Sequence, residues 1–120
     1  MSQRILVVDD EIRRVIQTLL KRAGYITEEA SNGSEALVKL QKSTYDLITM
    51  DIEMDKLDGI DTISIIRGEI NSPIVAISAH LTPGIRADLT ERKVNLFLSK
   101  PFTTSQLLTV IDRALSTPTR

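Results

Sequence analysis

Asp9, Asp10, Asp51, Ser78 and Lys100 are side chains of the types that phosphoryl chemistry needs, and each lies at or just past the end of a short apolar run. Asp9-Asp10 follows Ile5-Leu6-Val7-Val8, Asp51 follows Leu47-Ile48-Thr49-Met50, Ser78 follows Ile74-Val75-Ala76-Ile77, and Lys100 comes shortly after Leu96-Phe97-Leu98. Two adjacent carboxylates at a buried strand end repel each other and are costly to desolvate. A hard divalent cation relieves both costs, because magnesium prefers oxygen ligands, keeps several waters and is satisfied by one or two carboxylates plus phosphate oxygens. Asp51 is a further candidate ligand. It is also the candidate phosphoryl acceptor, since a carboxylate attacks phosphorus once a metal and an ammonium neutralise the charge on the transferring oxygens. Lys100 and Ser78 can hold two of those oxygens while the metal holds the third.

These residues meet only if the chain brings the strand ends together, and the apolar pattern predicts that it does. Ile5 to Val8 reads as a strand buried on both faces. Ile12, Val15, Ile16, Leu19 and Leu20 fall at helical spacing, with Gly24 as the C-terminal stop. Thr27 to Ala30 reads as a polar edge strand, Asn32-Gly33-Ser34 as a turn, and Ala36, Leu37 and Leu40 as a second helix. The third strand is expected from Tyr45 to Met50, closed by Asp51. After a loop to Gly59, Ile60, Ile63, Ile65 and Ile66 mark a third helix, and Ile74 to Ile77 a fourth strand. Thr82 to Lys93 reads as a short, mobile fourth helix, Leu96 to Leu98 as the last strand, and Thr103 or Thr104 as the cap of a final helix carrying Leu107, Leu108, Val110, Ile111 and Leu115. Alternating β/α units without repeats imply an α/β fold: a doubly wound, five-stranded parallel sheet with five helices, in the flavodoxin-like order 2-1-3-4-5. The carboxyl ends of such strands share one edge, where ligands bind.

Composition narrows the function. The chain has 120 residues, 42% of them hydrophobic, which suits one domain over 1–120. Fifteen basic against sixteen acidic side chains leave a net charge of −1, and no basic run offers a track for nucleic acid. No stretch reaches the roughly 18 apolar residues of a membrane span, and the N-terminus does not read as a signal peptide, so a cytoplasmic protein is expected. The absence of cysteine excludes disulfides and thiolate chemistry but not oxygen-ligated cations.

Asp9-Asp10, Leu47-Ile48-Thr49-Met50-Asp51, Asp58-Gly59, Ser78-Ala79 and Lys100-Pro101-Phe102 together resemble the receiver domain of two-component response regulators, in its single-domain, chemotaxis-type form. The resemblance spans essentially the whole chain. It implies that Asp51 takes a phosphoryl group from a sensor histidine kinase or histidine phosphotransfer protein with Mg2+ or Mn2+. Asp9, Asp10, Asp51 and the main-chain carbonyl of Glu53 would hold the metal. It places Ser78, Ala79 and Lys100 at the phosphate, Phe97 as the switch aromatic, and Glu53 and His80 where access of hydrolytic water is tuned. It also implies a cis Lys100-Pro101 peptide, and an output face on helix four, strand five and helix five read by a downstream protein or output domain. Such a protein is a signalling switch that catalyses its own phosphotransfer and dephosphorylation, not a multiple-turnover enzyme.

The sequence also departs from that family's pattern. Only Glu11 separates Asp10 from Ile12, a shorter connection than is usual in chemotaxis-type members. Asp55 stands where many receivers have proline, Lys93 stands where a glycine is usual, and the Glu53 carboxylate is expected to repel an incoming anion. Taken singly, each signal has an ordinary structural reading: Asp9-Asp10 as a helix cap and turn, Asp51 as a loop-start carboxylate, Ser78 as a capping hydroxyl, Lys100 as a surface lysine, His80 as a solvated loop residue and Phe97 as a core aromatic. Their order along successive strand ends favours the chemical reading. Two rival functions are a haloacid-dehalogenase-type phosphatase, imitated by Asp51-Ile52-Glu53, and a pseudo-receiver that keeps the fold without being phosphorylated.

Overall fold

The computed structural model describes residues 3–9, 11–53 and 59–116, so Asp10, Asp55, Asp58 and the tail after Ser116 lie outside the described residues. The elements run β1 (Arg4–Val8), α1 (Arg13–Arg22), β2 (Ile26–Ala30), α2 (Gly33–Lys42), β3 (Leu47–Asp51), α3 (Gly59–Arg67), β4 (Ile74–Ser78), α4 (Pro83–Glu91), β5 (Leu96–Ser99) and α5 (Thr104–Ser116). The five strands form one parallel sheet in the order β2-β1-β3-β4-β5. β2 is an edge strand, as its polar sequence requires.

Alternation along the strands divides the core between the two faces. Ile5, Val7, Leu47, Val75, Ile77 and Leu98 pack beneath α1 and α5, against Ile16, Leu20, Leu107, Val110 and Ile111. Leu6, Val8, Ile48, Met50 and Ala76 face the other way, against Ala36 of α2, Ile63 and Ile66 of α3, and Leu89 of α4. Burial on both faces is why these strands read as unbroken apolar runs.

The third strand begins at Leu47, not at the expected Tyr45. Tyr45 is buried, but its hydroxyl donates to Glu28 and its carbonyl accepts from the Ser72 hydroxyl, so it anchors the approach to β3 without joining the ladder. Of the two candidate caps for α5, Thr103 serves. Its hydroxyl accepts from Gln106 N–H at 3.1 Å while the Gln106 side chain accepts from Thr103 N–H at 2.9 Å, a reciprocal capping box. Asn32 caps α2 through Glu35 N–H, and Thr82 caps α4 through Ile85 N–H with Pro83 in the first turn. Among the described residues no helix is long and apolar enough to cross a membrane.

Candidate phosphoryl-transfer site

The sheet delivers Asp9, Asp51, Ser78 and Lys100 to one edge. β1 and β3 are neighbours with Val8 paired to Met50, β3 and β4 pair Asp51 with Ile77, and β4 and β5 pair Ser78 with Ser99, so the residues at or after each strand end converge. Asp9 and Asp51 are each 1% exposed and Ser78 is fully buried. Lys100 Nζ lies 3.3 Å from Asp9 Oδ2 and 3.3 Å from Asp51 Oδ2. The Lys100-Pro101 peptide is cis.

Each carboxylate spends one oxygen on the backbone. Asp9 Oδ1 accepts the Glu11 and Ile12 N–H groups, both at 2.8 Å, so the capping reading of Asp9 holds alongside the chemical one. Asp51 Oδ1 accepts the Glu53 N–H at 3.0 Å. The remaining oxygens, Asp9 Oδ2 and Asp51 Oδ2, are buried, make no hydrogen bond among the described residues, and have only the ammonium at ion-pair distance. Two orphaned anionic oxygens beside one cation are a poor arrangement for a structural core and a suitable one for a hard divalent ion. With Asp10 outside the described residues, no group of three carboxylate or imidazole side chains is assembled among those that are described.

The electrostatics follow from this geometry. Burial, reinforced by the charge of Asp9, pushes the Asp51 carboxyl up to about 6, although the Glu53 N–H and Lys100 pull the other way. Burial opposes the Lys100 charge, but Asp9 and Asp51 outweigh it and hold the ammonium above its ordinary range. Gly59 abuts the end of β3. A Cβ there would lie 2.4 Å from the Asp51 carbonyl oxygen and 2.7 Å from Ile52 Cα, so only glycine lets α3 start against the end of β3.

The Glu53 side chain carries a role the sequence did not reveal. Its Oε1 accepts the Ser78 hydroxyl at 2.8 Å and the Ala79 N–H at 3.0 Å, while Oε2 contacts His80 Nδ1. Burial alone would raise the Glu53 carboxyl, but the contacts from His80, Ser78 and Ala79 hold it below the usual range. Its spacing two residues after Asp51 marked it as a site residue. Nothing in the sequence said that its carboxylate turns onto the donors of β4. His80 itself is largely exposed, as expected for a loop residue. Phe97 is half-buried on the α2–α3–α4 side of the sheet, with the Arg86 guanidinium 5.1 Å from its ring centroid. Arg86 was not singled out in the sequence.

Comparison with known proteins gives this site a family. A model described as the response regulator receiver domain matches residues 5–112. The chain is 36% identical over 107 residues to the transcriptional regulatory protein ResD of Bacillus subtilis, covering 88% of this chain and 45% of that protein. It is 32% identical over 117 residues to the chemotaxis protein CheY of Thermotoga maritima, covering 94% of this chain and 98% of that one. It therefore spans about half the length of the transcriptional regulators it matches and nearly the whole of a chemotaxis relative. Among solved structures, chemotaxis protein CheY4 of Vibrio cholerae superposes with a TM-score of 0.92 at 30% identity, covering 96% of this chain and 100% of that one. A match over nearly the full sheet, with acidic residues, hydroxyl and lysine at its carboxyl edge, shows that the chain belongs to the response regulator receiver domain family of two-component signalling.

Proposed function

We propose that this receiver accepts a phosphoryl group on Asp51 from a histidine kinase or histidine phosphotransfer protein, with a divalent cation, and passes the change to a partner through the face formed by α4, β5 and α5. The observation that carries this reading is the convergence of buried Asp9 and Asp51 on Lys100, at 3.3 Å each, beside the buried Ser78 hydroxyl. Family membership supports the coarser statement of phosphorylation-dependent switching and sets aside the dehalogenase-type alternative.

Asp9, Asp10 and Asp51, with the Glu53 main-chain carbonyl, would hold Mg2+ or Mn2+, and the orphaned Oδ2 atoms of Asp9 and Asp51 fit a hard cation. Bound there, the ion would neutralise charge on the phosphoryl oxygens. The Asp51 carboxylate attacks phosphorus as the phosphorus–nitrogen bond of the donor histidine breaks. Lys100 turns from its two carboxylates to one phosphoryl oxygen, and the Ser78 hydroxyl and Ala79 N–H take another. Hydrolysis reverses the modification: water attacks phosphorus, the bond to Asp51 breaks, and inorganic phosphate leaves. Each cycle consumes one phosphoryl group on the chain itself, so it acts as a switch and not as a multiple-turnover enzyme. Movement of Ser78 toward the phosphate frees space beside β4 for the Phe97 ring, which alters the α4–β5–α5 surface.

Intact-mass spectrometry after incubation with acetyl phosphate tests the acceptor. The expected result is one phosphoryl adduct that requires magnesium, is removed by hydroxylamine, and is missing from Asp51→Asn. An adduct that persists in Asp51→Asn overturns the assignment. No adduct, even with a cognate phosphodonor, indicates a binding module of the same fold.

A further inference from the structure

The Glu53 carboxylate stands where a phosphoryl oxygen is expected. Two of the three donors assigned above to the phosphoryl group, the Ser78 hydroxyl and the Ala79 N–H, converge on Glu53 Oε1 at 2.8 and 3.0 Å. The third, Lys100, is turned to Asp9 and Asp51. Ser78 has no proton to spare for a second anion, because its single O–H goes to Glu53 while its oxygen accepts the His80 N–H at 2.9 Å. A phosphoryl group on Asp51 and a docked Glu53 carboxylate would set two anions on one pair of donors at a partly dehydrated strand end.

We propose that the Glu53 carboxylate is an internal surrogate for a phosphoryl oxygen, docked on Ser78 and Ala79 in the unphosphorylated chain and displaced when Asp51 is modified. This rests on Asp51 being the acceptor. The docking depends on reach as well as charge. Glu53 leaves the backbone two residues after Asp51, to which its own N–H is bonded, and its carboxylate reaches from the end of β3 across to the Ser78 hydroxyl on β4. The His80 contact involves side chains that are 75% and 41% exposed, so it steadies the carboxylate while the charge-assisted bonds from Ser78 and Ala79 anchor it. One consequence is that the switch hydroxyl is already committed to an anion before phosphorylation. The other is that phosphorylation becomes a competition, which weakens the site for any phosphoryl group.

Beryllofluoride, a phosphoryl mimic that coordinates an aspartate, separates occupancy from simple repulsion. Titrated with magnesium into the wild type, Glu53→Ala and Glu53→Asp, it is expected to bind both variants about tenfold more tightly than the wild type. Glu53→Asp keeps the charge but falls one methylene short of the donors. Before any anion is added, the Ala79 amide proton resonance is expected to move upfield in both variants. A Glu53→Asp chain that matches the wild type in affinity and in the Ala79 resonance overturns the proposal and leaves Asp51 as the acceptor. If no chain binds beryllofluoride or takes label from acetyl phosphate, the acceptor reading fails instead. The Ala79 resonance then decides on Glu53: movement in both variants supports docking, and no movement overturns it.

Discussion

At Asp51 the reactivity proposed for the residue and the stability of the fold oppose each other. Its carboxyl is buried beside a second carboxylate and titrates at about 6 in the folded chain, against 3.8 as the ordinary value. A folded-state value above the unfolded one means that the native protein binds more protons than the unfolded chain between those limits. Stability from this group is therefore fully present at the acid end and is lost as pH rises through about 6. Above that the ionised side chain costs the fold on the order of 2–3 kcal/mol, with Lys100 already counted. Asp51→Asn removes the charge while Lys100 keeps Asp9 as its partner. In chelator-containing buffer the variant is expected to be about 2 kcal/mol more stable than the wild type at pH 8, with the difference shrinking toward pH 4. Urea denaturation at the two pH values reads this directly. An equal difference at both would show that the Asp51 charge is not what the fold opposes. The place of Asp51 at the sheet edge was legible because several apolar runs in succession each end at or just before a polar residue. The conflict at the residue was not, since it depends on how completely the sheet edge excludes water from Asp9 and Asp51.

At the scale of elements, helix endings show which sequence signals carry structure. α1 and α4 stop in the same way. After α1, Tyr25 N–H bonds the Leu20 carbonyl and Gly24 N–H the Lys21 carbonyl. After α4, Val94 N–H bonds the Leu89 carbonyl and Lys93 N–H the Thr90 carbonyl. Both are Schellman turns, and both need a left-handed residue, which is Gly24 at φ 100° in one and Lys93 at φ 63° in the other. The first stop was legible because glycine marks it. The second was hidden under a lysine, and the structure supplies the reason that position usually holds glycine. A non-glycine residue there costs roughly 1–2 kcal/mol, part of which its smaller unfolded-state entropy returns. Lys93→Gly is accordingly expected to stabilise the chain by about 0.5–1 kcal/mol, read as a rise in urea midpoint at unchanged slope. The start of β3 was misplaced for a related reason, since Tyr45 has the residue type and burial of a strand position while its polar contacts belong to the loop.

For the molecule as a whole, the order of strands and the gathering of their ends could be read from period and topology rules, whereas the direction of one flexible side chain, Glu53, could not. The same limit applies to the face proposed for output. α4 buries only Leu89, whereas α5 buries Leu107, Val110, Ile111 and Ala114, so α4 is the more weakly held of the two. Ile85, partly buried against the same core, Val94 beyond its end and the Arg86 guanidinium over Phe97 also tie it to the sheet. That stacking joins the helix to the residue expected to move on switching. Cation–π contacts at half-exposed sites contribute about 0.5–1 kcal/mol. Arg86→Ala is therefore expected to raise hydrogen exchange across Pro83–Glu91 several-fold while leaving Thr104–Ser116 unchanged. A uniform increase in both helices would mean that Arg86 supports global stability and has no particular hold on α4. If α4 alone loosens, the Phe97 ring and the helix are coupled through Arg86, and a change at Ser78 has a physical route to the outer surface.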